Sequence, residues 1–240
     1  MRDVRSALLS VLFPPRCLCC GQPVNREQNI CIACKGRMHK IEAPYCVYCG
    51  TSERDCTCAR REHAYSEVAA PFYYEAGARD ILLQLKYGGK EDSAVYLAEN
   101  MSQVLRARYF GIHFDLLTCV PTSAERIARR GYNQAESIAR QLQEDEDSGF
   151  LTGTERDYSV LQKLPTGQMQ HFLGASGRRA NIQNAFRLRR GRSVKGKTIL
   201  LIDDIVTTGA TAQECAAILK LEGAAEVFVG CAAVTRKKLA

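Results

Sequence analysis

The segment Ile199-Leu200-Leu201-Ile202-Asp203-Asp204-Ile205-Val206-Thr207-Thr208-Gly209-Ala210-Thr211 is the most informative stretch of this 240-residue chain. Its four leading aliphatics predict a strand buried on both faces, as in a parallel sheet covered by helices. Two carboxylates then stand at the strand's tip, where adjacent like charges repel and nothing local compensates them. A simple strand-end turn would explain a polar pair, but not the loop that follows. Thr207-Thr208-Gly209-Ala210-Thr211 has small side chains and leads straight into a helix. Its backbone N–H groups, its hydroxyls and the helix N-terminus together form an anion cradle suited to a monophosphate. Carboxylates on one side and a phosphate cradle on the other suit a sugar phosphate. The acids would hold hydroxyls and the loop the 5′-phosphate.

The flanking sequence supplies the rest of such a domain. Residues 67–75 alternate, are aromatic and read as a strand. Residues 78–87 read as a helix with Ile81, Leu82 and Leu85 on one side, stopped by Gly88-Gly89. A longer amphipathic helix covers 91–109, and 114–121 is a buried strand ending at a proline. Further helices are expected over 133–144 and 210–222, the second ended by Gly223, and a last strand over 225–235. Strand and helix in alternation imply an α/β fold with a parallel sheet. Ligands in such sheets bind at the carboxyl ends of strands, where the loops after Val120 and Ile202 both lie. Residues 155–181 read as a flexible loop, because Pro165, Gly167, Gly174 and Gly177 break any long element. Closing over a ligand, that loop would exclude water.

The amino-terminal quarter is a different material. Of twelve cysteines, nine fall at or before position 58. Cys17/Cys20, Cys31/Cys34 and Cys46/Cys49 are C-x-x-C pairs, and Cys56/Cys58 is C-x-C. Each pair puts two thiolates on one tight turn, as two corners of a tetrahedron around Zn²⁺. Four pairs give two Cys₄ sites and leave Cys19 over. The simplest pairing follows sequence order, Cys17/Cys20/Cys31/Cys34 and Cys46/Cys49/Cys56/Cys58. An interleaved pairing, or a single site with a decayed second one, also satisfies the count. Residues 16–60 hold too few aliphatics to fold unaided. Structural zinc supplies roughly 10 kcal/mol or more per site. His39 and His63 are candidate replacements for a weak ligand. Arg16, Arg26, Lys35, Arg37 and Lys40 would give the ribbon a surface for nucleic acid, or simply a solvated face. Cys119, Cys215 and Cys231 sit among apolar neighbours and read as buried small hydrophobes.

Composition narrows the remaining classes. Hydrophobic residues at 46% and charged residues at 25% exclude a disordered or fibrous chain. No stretch of ~18 apolar residues predicts a membrane span. The net charge of +7 is compatible with a polyanionic ligand. Residues 1–17 read as an amphipathic helix rather than a secretory signal, so a reducing, cytoplasmic compartment is expected, which disfavours disulfides.

The thirteen residues of the opening segment resemble the phosphoribosyl-pyrophosphate (PRPP) signature of type I phosphoribosyltransferases. They are not an ATPase P-loop, since no Gly-Lys-Ser/Thr follows. The whole chain is similar to the ComF (ComFC/GntX) family, which joins a zinc ribbon to a phosphoribosyltransferase domain. The resemblance runs through the cysteine pairs, Leu85-Lys86-Tyr87-Gly88-Gly89, Val120-Pro121 and Arg129-Arg130-Gly131-Tyr132-Asn133-Gln134-Ala135. It continues through Gln168, Arg179 and Asn181 to the signature. It implies a zinc-ribbon domain over 1–62 and a type I phosphoribosyltransferase domain over 63–240.

The resemblance also assigns roles. Asp203 and Asp204 would contact the ribose 2′- and 3′-hydroxyls as the catalytic acids. Thr207, Thr208, Gly209, Ala210 and Thr211 would hold the 5′-phosphate. Pro121-Thr122-Ser123 would form the pyrophosphate loop, where Mg²⁺ would also sit, aided by Arg129 and Arg130. Lys163, Arg178 and Arg179 would neutralise leaving pyrophosphate. No general base is nominated, and no Cys follows Met1 to serve as an amidotransferase nucleophile. ComF proteins are associated with natural transformation, the uptake of DNA by competent bacteria. One expectation is therefore a phosphoribosyltransferase of unknown acceptor. The alternative is a non-catalytic single-stranded-DNA-binding competence factor that uses PRPP as a regulatory ligand, beside a competence helicase. Residues 178–197 hold eight Arg or Lys and no acid. With Phe172, Phe186 and Tyr132 nearby, they would serve that second role.

Overall fold

The computed structural model describes residues 14–58, 63–88, 91–144, 149–165 and 185–236. In chain order the elements are α1 (Ile32–Lys35), β1 (Glu67–Ala69), β2 (Phe72–Tyr73), α2 (Ala76–Gly88), α3 (Glu91–Arg108) and β3 (Leu116–Cys119). They continue with α4 (Ala124–Arg130), α5 (Gln134–Gln141), β4 (Glu155–Arg156), β5 (Leu161–Lys163) and β6 (Phe186–Leu188). The last three are β7 (Thr198–Val206), α6 (Ala210–Leu221) and β8 (Glu226–Val234). The main sheet has the order β1-β8-β7-β3-β4, with β2 also on β8, and every pair is parallel. This is the expected α/β architecture with a cysteine-rich ribbon at its edge.

β7 lies at the centre because its side chains serve two cores. Leu200 and Ile202 pack with Leu97, Met101, Leu105 and Ile138 from α3 and α5. Ile199 and Leu201 pack with Cys215, Ala216 and Leu219 from α6. Each fully buried Leu or Ile contributes ~1.5–3 kcal/mol, so both helical layers are held by one run of aliphatics. Cys119, Cys215 and Cys231 are buried in these cores as small hydrophobes.

Three local expectations are corrected. The strand over 67–75 is two short strands, because Pro71 between β1 and β2 has no N–H to donate to a ladder. The acidic pair lies inside β7, not at its tip. β7 runs on to Val206 because it pairs with β8 as far as Val206↔Val234, while its pairing with β3 ends at Cys119↔Ile202. Asp203 and Asp204 therefore begin where the β3 neighbour stops. Third, the expected loop begins with two strands joined by a turn: β4 joins the main sheet, and β5 pairs antiparallel with β6. The rest of that expected loop from 166 to 181, including Gln168, Phe172, Arg178, Arg179 and Asn181, lies outside the described residues; of the amino-terminal helix expected over 1–17, residues 1–13 lie outside them and residues 14–17 are not helical.

The ribbon docks by extending the sheet edge. Ile41 N–H donates to Pro71 O at 3.0 Å, Tyr73 N–H to His39 O at 2.9 Å, and Val68 N–H to Val47 O at 2.9 Å. Tyr73 carries the joint further, its hydroxyl accepting from Ser52 N–H at 3.0 Å and donating to the Asp55 carboxylate at 2.6 Å. Among the described residues no helix is long and apolar enough to cross a membrane.

Candidate functional site

The chain order sets where a ligand can sit. From β3 the chain moves outward to β4, and from β7 it moves the other way to β8. Loops leaving adjacent parallel strands in opposite directions open a crevice at their carboxyl ends. That crevice is a cleft with about 790 Å³ of empty space. Pro121 and Thr122 from the loop after β3, Asp203 and Asp204 from β7, and Thr211 from α6 all line it. Lys86, Arg126, Arg130 and Lys163 add cations to the same walls.

Asp203 is only 8% exposed. Burial pushes its carboxyl well above the usual carboxylate range, the adjacent Asp204 pushes it further, and Lys163 opposes the shift. Its Oδ1 accepts the Asp204 N–H at 2.9 Å, and Asp204 Oδ1 accepts the Ile205 N–H at 2.8 Å. Two neighbouring acids in a cleft lined by cations, the buried one with its carboxyl shifted well up, mark a site poised for a ligand.

The loop after β7 leads directly into a helix, but Thr207, Thr208 and Gly209 line a separate slot with Tyr48, His63 and Thr235 rather than the cleft of Asp203, Asp204 and Thr211. Gly209 caps α6 with φ +79°, in the left-handed region that favours glycine. A Cβ there would also meet the Tyr65 hydroxyl at 3.3 Å. The 12-residue α6 begins at Ala210, so its positive dipole end points out of this loop. The Ala210 N–H donates to Thr208 Oγ1 at 3.4 Å, a long bond. Thr207 and Thr208 are exposed.

The basic residues sort themselves by helix geometry. α4 is a seven-residue helix capped by Ser123, whose hydroxyl accepts the Arg126 N–H at 3.4 Å. Ser123 is thus a capping residue of the loop. Arg126 and Arg130, four apart, share the face that lines the cleft. Arg129 is exposed and is not among the lining residues. Arg130 donates to Gln134 Oε1 at 3.1 Å, yet its Nε and Gln134 Nε2 are buried without a partner among the described residues. Such orphaned donors cost roughly 1–3 kcal/mol each unless a ligand satisfies them. Lys163 lies over the Phe186 ring at 5.2 Å, placed there by the β5–β6 pair. Lys86, Arg126, Asn133 and Gln134 were not assigned roles by the spacing of the sequence, although Lys86, Asn133 and Gln134 fall within the family-like motifs.

The cysteines gather in sequence order. Cys17, Cys20, Cys31 and Cys34 form one cluster and Cys46, Cys49, Cys56 and Cys58 the other, with all sulfurs of each within 4.8 Å. A tetrahedral zinc with ~2.3 Å bonds needs sulfurs about 3.8 Å apart. Cys20–Cys31 stand at 3.9 Å, Cys46–Cys58 at 3.6 Å and Cys49–Cys56 at 3.7 Å. The donor sets therefore fit structural zinc. Burial works against ionisation of Cys17, but the N–H groups of Cys20, Cys31 and Cys19 hold its thiol down to about 6. Gly21 and Gly50 turn each knuckle with φ of +73° and +74°. Neither histidine substitutes: His39 Nδ1 is 2.9 Å from Glu75, and His63 Nδ1 is 3.3 Å from Gln213 Oε1. Cys19 stands apart, its thiol donating to Gly77 O at 3.6 Å.

Comparison with known proteins agrees with both halves. Residues 8–66 match the double zinc ribbon domain and residues 91–239 the phosphoribosyl transferase domain. DNA utilization protein YhgH of Escherichia coli (strain K12) is 30% identical over 227 residues, 91% of this chain and 96% of that protein. Competence protein F of Haemophilus influenzae is 25% identical, over 90% of this chain and 96% of that one. Competence protein ComFC of Streptococcus pneumoniae is 26% identical, over 88% and 96%. With a double zinc ribbon in front of a phosphoribosyltransferase domain, and relatives matched nearly end to end, this chain belongs to the ComF family.

Proposed function

We propose that the cleft between the β3 and β7 loops binds PRPP with Mg²⁺, and that the protein uses this site in the handling of DNA that its relatives' names describe. The observation that carries the reading is the pair of orphaned donors, Arg130 Nε and Gln134 Nε2, on residues lining the same cleft as the buried Asp203. A diphosphate supplies the acceptors those donors lack. Asp203 and Asp204 hold the ribose hydroxyls, and the Thr207–Thr211 amides hold the 5′-phosphate. Pro121, Thr122 and Ser123 shape the pyrophosphate end, with Arg126, Arg130 and Lys163 as its cations. The Pro121–Ser123 loop, with Asp203 and Asp204 nearby, would help hold Mg²⁺, which would supply charge neutralisation to the leaving pyrophosphate. In the displacement, positive charge develops at the anomeric carbon as negative charge gathers on pyrophosphate. The acids stabilise the first and the basic residues the second.

Calorimetry with PRPP and Mg²⁺ tests this, comparing the wild type with the double variant Asp203→Ala/Asp204→Ala. The double variant should lose binding while staying folded, and unchanged affinity would refute the site. A second reading keeps PRPP as a regulatory ligand and makes single-stranded DNA the working partner. Exposed Arg187, Arg189 and Arg190 favour it, whereas Arg192 and Lys197 of the same stretch are paired with Asp157 at 3.1 Å and Glu155 at 2.5 Å. Steep loss of DNA affinity with salt would mark that reading, and release of pyrophosphate in the presence of an acceptor would mark the first.

A further inference from the structure

Helix α2 (Ala76–Gly88) lies between the two matched domains and outside both. Its last turn nevertheless brings Lys86 into the wall of the cleft, with Arg126 and Arg130. We propose that Lys86 is a further ligand-binding residue of this cleft, gripping the diphosphate end of PRPP together with Arg130. The inference rests on the reading of the cleft as a PRPP site and adds to it a cation from outside the matched phosphoribosyltransferase domain.

The sequence of α2 places Lys86 where it can act. The helix buries Ala78, Ile81, Leu82 and Leu85. Lys86 stands one turn after Leu82, at the border of that stripe, and is half-buried, whereas Tyr87 is exposed. Both ends of the helix are pinned. At its start the Gly77 N–H donates to Arg37 O at 3.2 Å, the Cys19 thiol donates to Gly77 O at 3.6 Å, and Arg37 pairs with Asp80 at 2.9 Å. The first knuckle comes so close that a Cβ on Gly77 would meet Met38 Sδ at 2.7 Å. At its end the Tyr132 hydroxyl donates to Leu85 O. Tyr132 lies in the turn between α4 and α5, so this bond ties the last turn of α2 to the wall that carries Arg126 and Arg130. A helix held at both ends presents its lysine at little ordering cost.

The charges show what the arrangement serves. Lys86 Nζ stands 5.4 Å from the centre of the Tyr87 ring, and Arg130 Cζ stands 5.9 Å from the same ring. One aromatic side chain thus collects two cations. Lys86, Arg126 and Arg130 have no carboxylate partner among the described residues. Like charges gathered without an acid repel one another, and a multiply charged anion removes that cost. A lysine in the last turn also suits the helix dipole, but the exposed position of Tyr87 would serve that purpose equally. Position separates the two ends of the ligand. The loop after β7 is assigned the 5′-phosphate, whereas α2 meets the cleft from the α4 side, through Leu85–Tyr132 and Tyr87–Arg130.

The test uses the zinc-loaded full chain and calorimetry with PRPP and Mg²⁺, with ribose 5-phosphate, which lacks the diphosphate, measured by displacement. Lys86→Gln should lower PRPP affinity by about tenfold and ribose 5-phosphate affinity by less than about twofold. PRPP binding by this variant should also lose part of its salt dependence, because one cation fewer meets the ligand. Lys86→Arg keeps the charge and should hold PRPP affinity within about threefold of the wild type. Unchanged PRPP affinity in Lys86→Gln would overturn the proposal. So would an equal loss of both ligands, which is what a merely structural residue would give. Failure of the wild type to bind PRPP would instead refute the reading of the cleft itself, before any variant is compared.

Discussion

Asp203→Asn should leave the protein at least as stable as the wild type and change how its stability depends on pH. Asp203 is buried beside Asp204, and both conditions disfavour its charge. Its folded pKa therefore lies above the unfolded value of ~3.9. From about pH 4 up to the folded pKa, the folded state binds more protons than the unfolded state. Stability accordingly falls as pH rises through that window, by ~1.4 kcal/mol for each unit of separation. Asparagine does not titrate, and its Oδ1 still accepts the Asp204 N–H that Asp203 holds at 2.9 Å. At pH 4 the variant should match the wild type, and at pH 8 it should exceed it by about 1 kcal/mol or more. For a chain of this length that is roughly 2–4 °C in Tm. Urea unfolding of zinc-saturated protein, followed by circular dichroism between pH 4 and 8, reads the difference. A variant less stable than the wild type at pH 8, or one with the same pH dependence, would refute the reading that burial beside Asp204 disfavours the Asp203 charge.

The other predictions concern the loop, the cations, the proton and the metals. Gly209→Ala places a side chain at φ +79° and 3.3 Å from the Tyr65 hydroxyl; it should cost about 1–2 kcal/mol by thermal unfolding and weaken PRPP binding. Arg130→Ala should lower PRPP affinity by about tenfold or more, whereas Arg129→Ala, on the outer face of α4, should change it less than about twofold. Burial and Asp204 raise the Asp203 carboxyl and a Mg²⁺ held beside it would lower it again, so binding PRPP with Mg²⁺ should release protons and tighten as pH rises; calorimetry in buffers of different ionisation heat measures this. Metal analysis should find two zinc ions per chain and one in Cys31→Ser, and strong chelation should unfold the ribbon.

Much of this was legible in the sequence because it rests on periodicity and spacing. β7, α2, α3, α6 and β8 stood out as apolar runs or amphipathic repeats bounded by glycine. The cysteine pairs marked a metal-binding ribbon because a C-x-x-C turn leaves little freedom, but their grouping in chain order, which the sequence left open, is seen only in the folded chain. What escaped notice depends on contacts distant in sequence. β4, β5 and β6 are two or three residues long and hold together by pairing, not by pattern. α4 buries no residue and has no apolar stripe, so nothing in AERIARR distinguished Arg126 from Arg129 as the residue facing the cleft. The extension of β7 through its acidic pair is imposed by β8, whose ladder runs past the end of β3. The joining of the ribbon to the sheet edge through His39, Ile41 and Val47 uses backbone groups, which side-chain patterns do not mark.

The most direct measurement is a crystal structure of the zinc-loaded chain with PRPP and Mg²⁺. The account predicts the 5′-phosphate on the amides of Thr207–Thr211, the pentose hydroxyls on Asp203 and Asp204, and the pyrophosphate against Arg126 and Arg130. Density for the sugar phosphate anywhere else, or a filled cleft in which Asp203 touches no ligand, would contradict it.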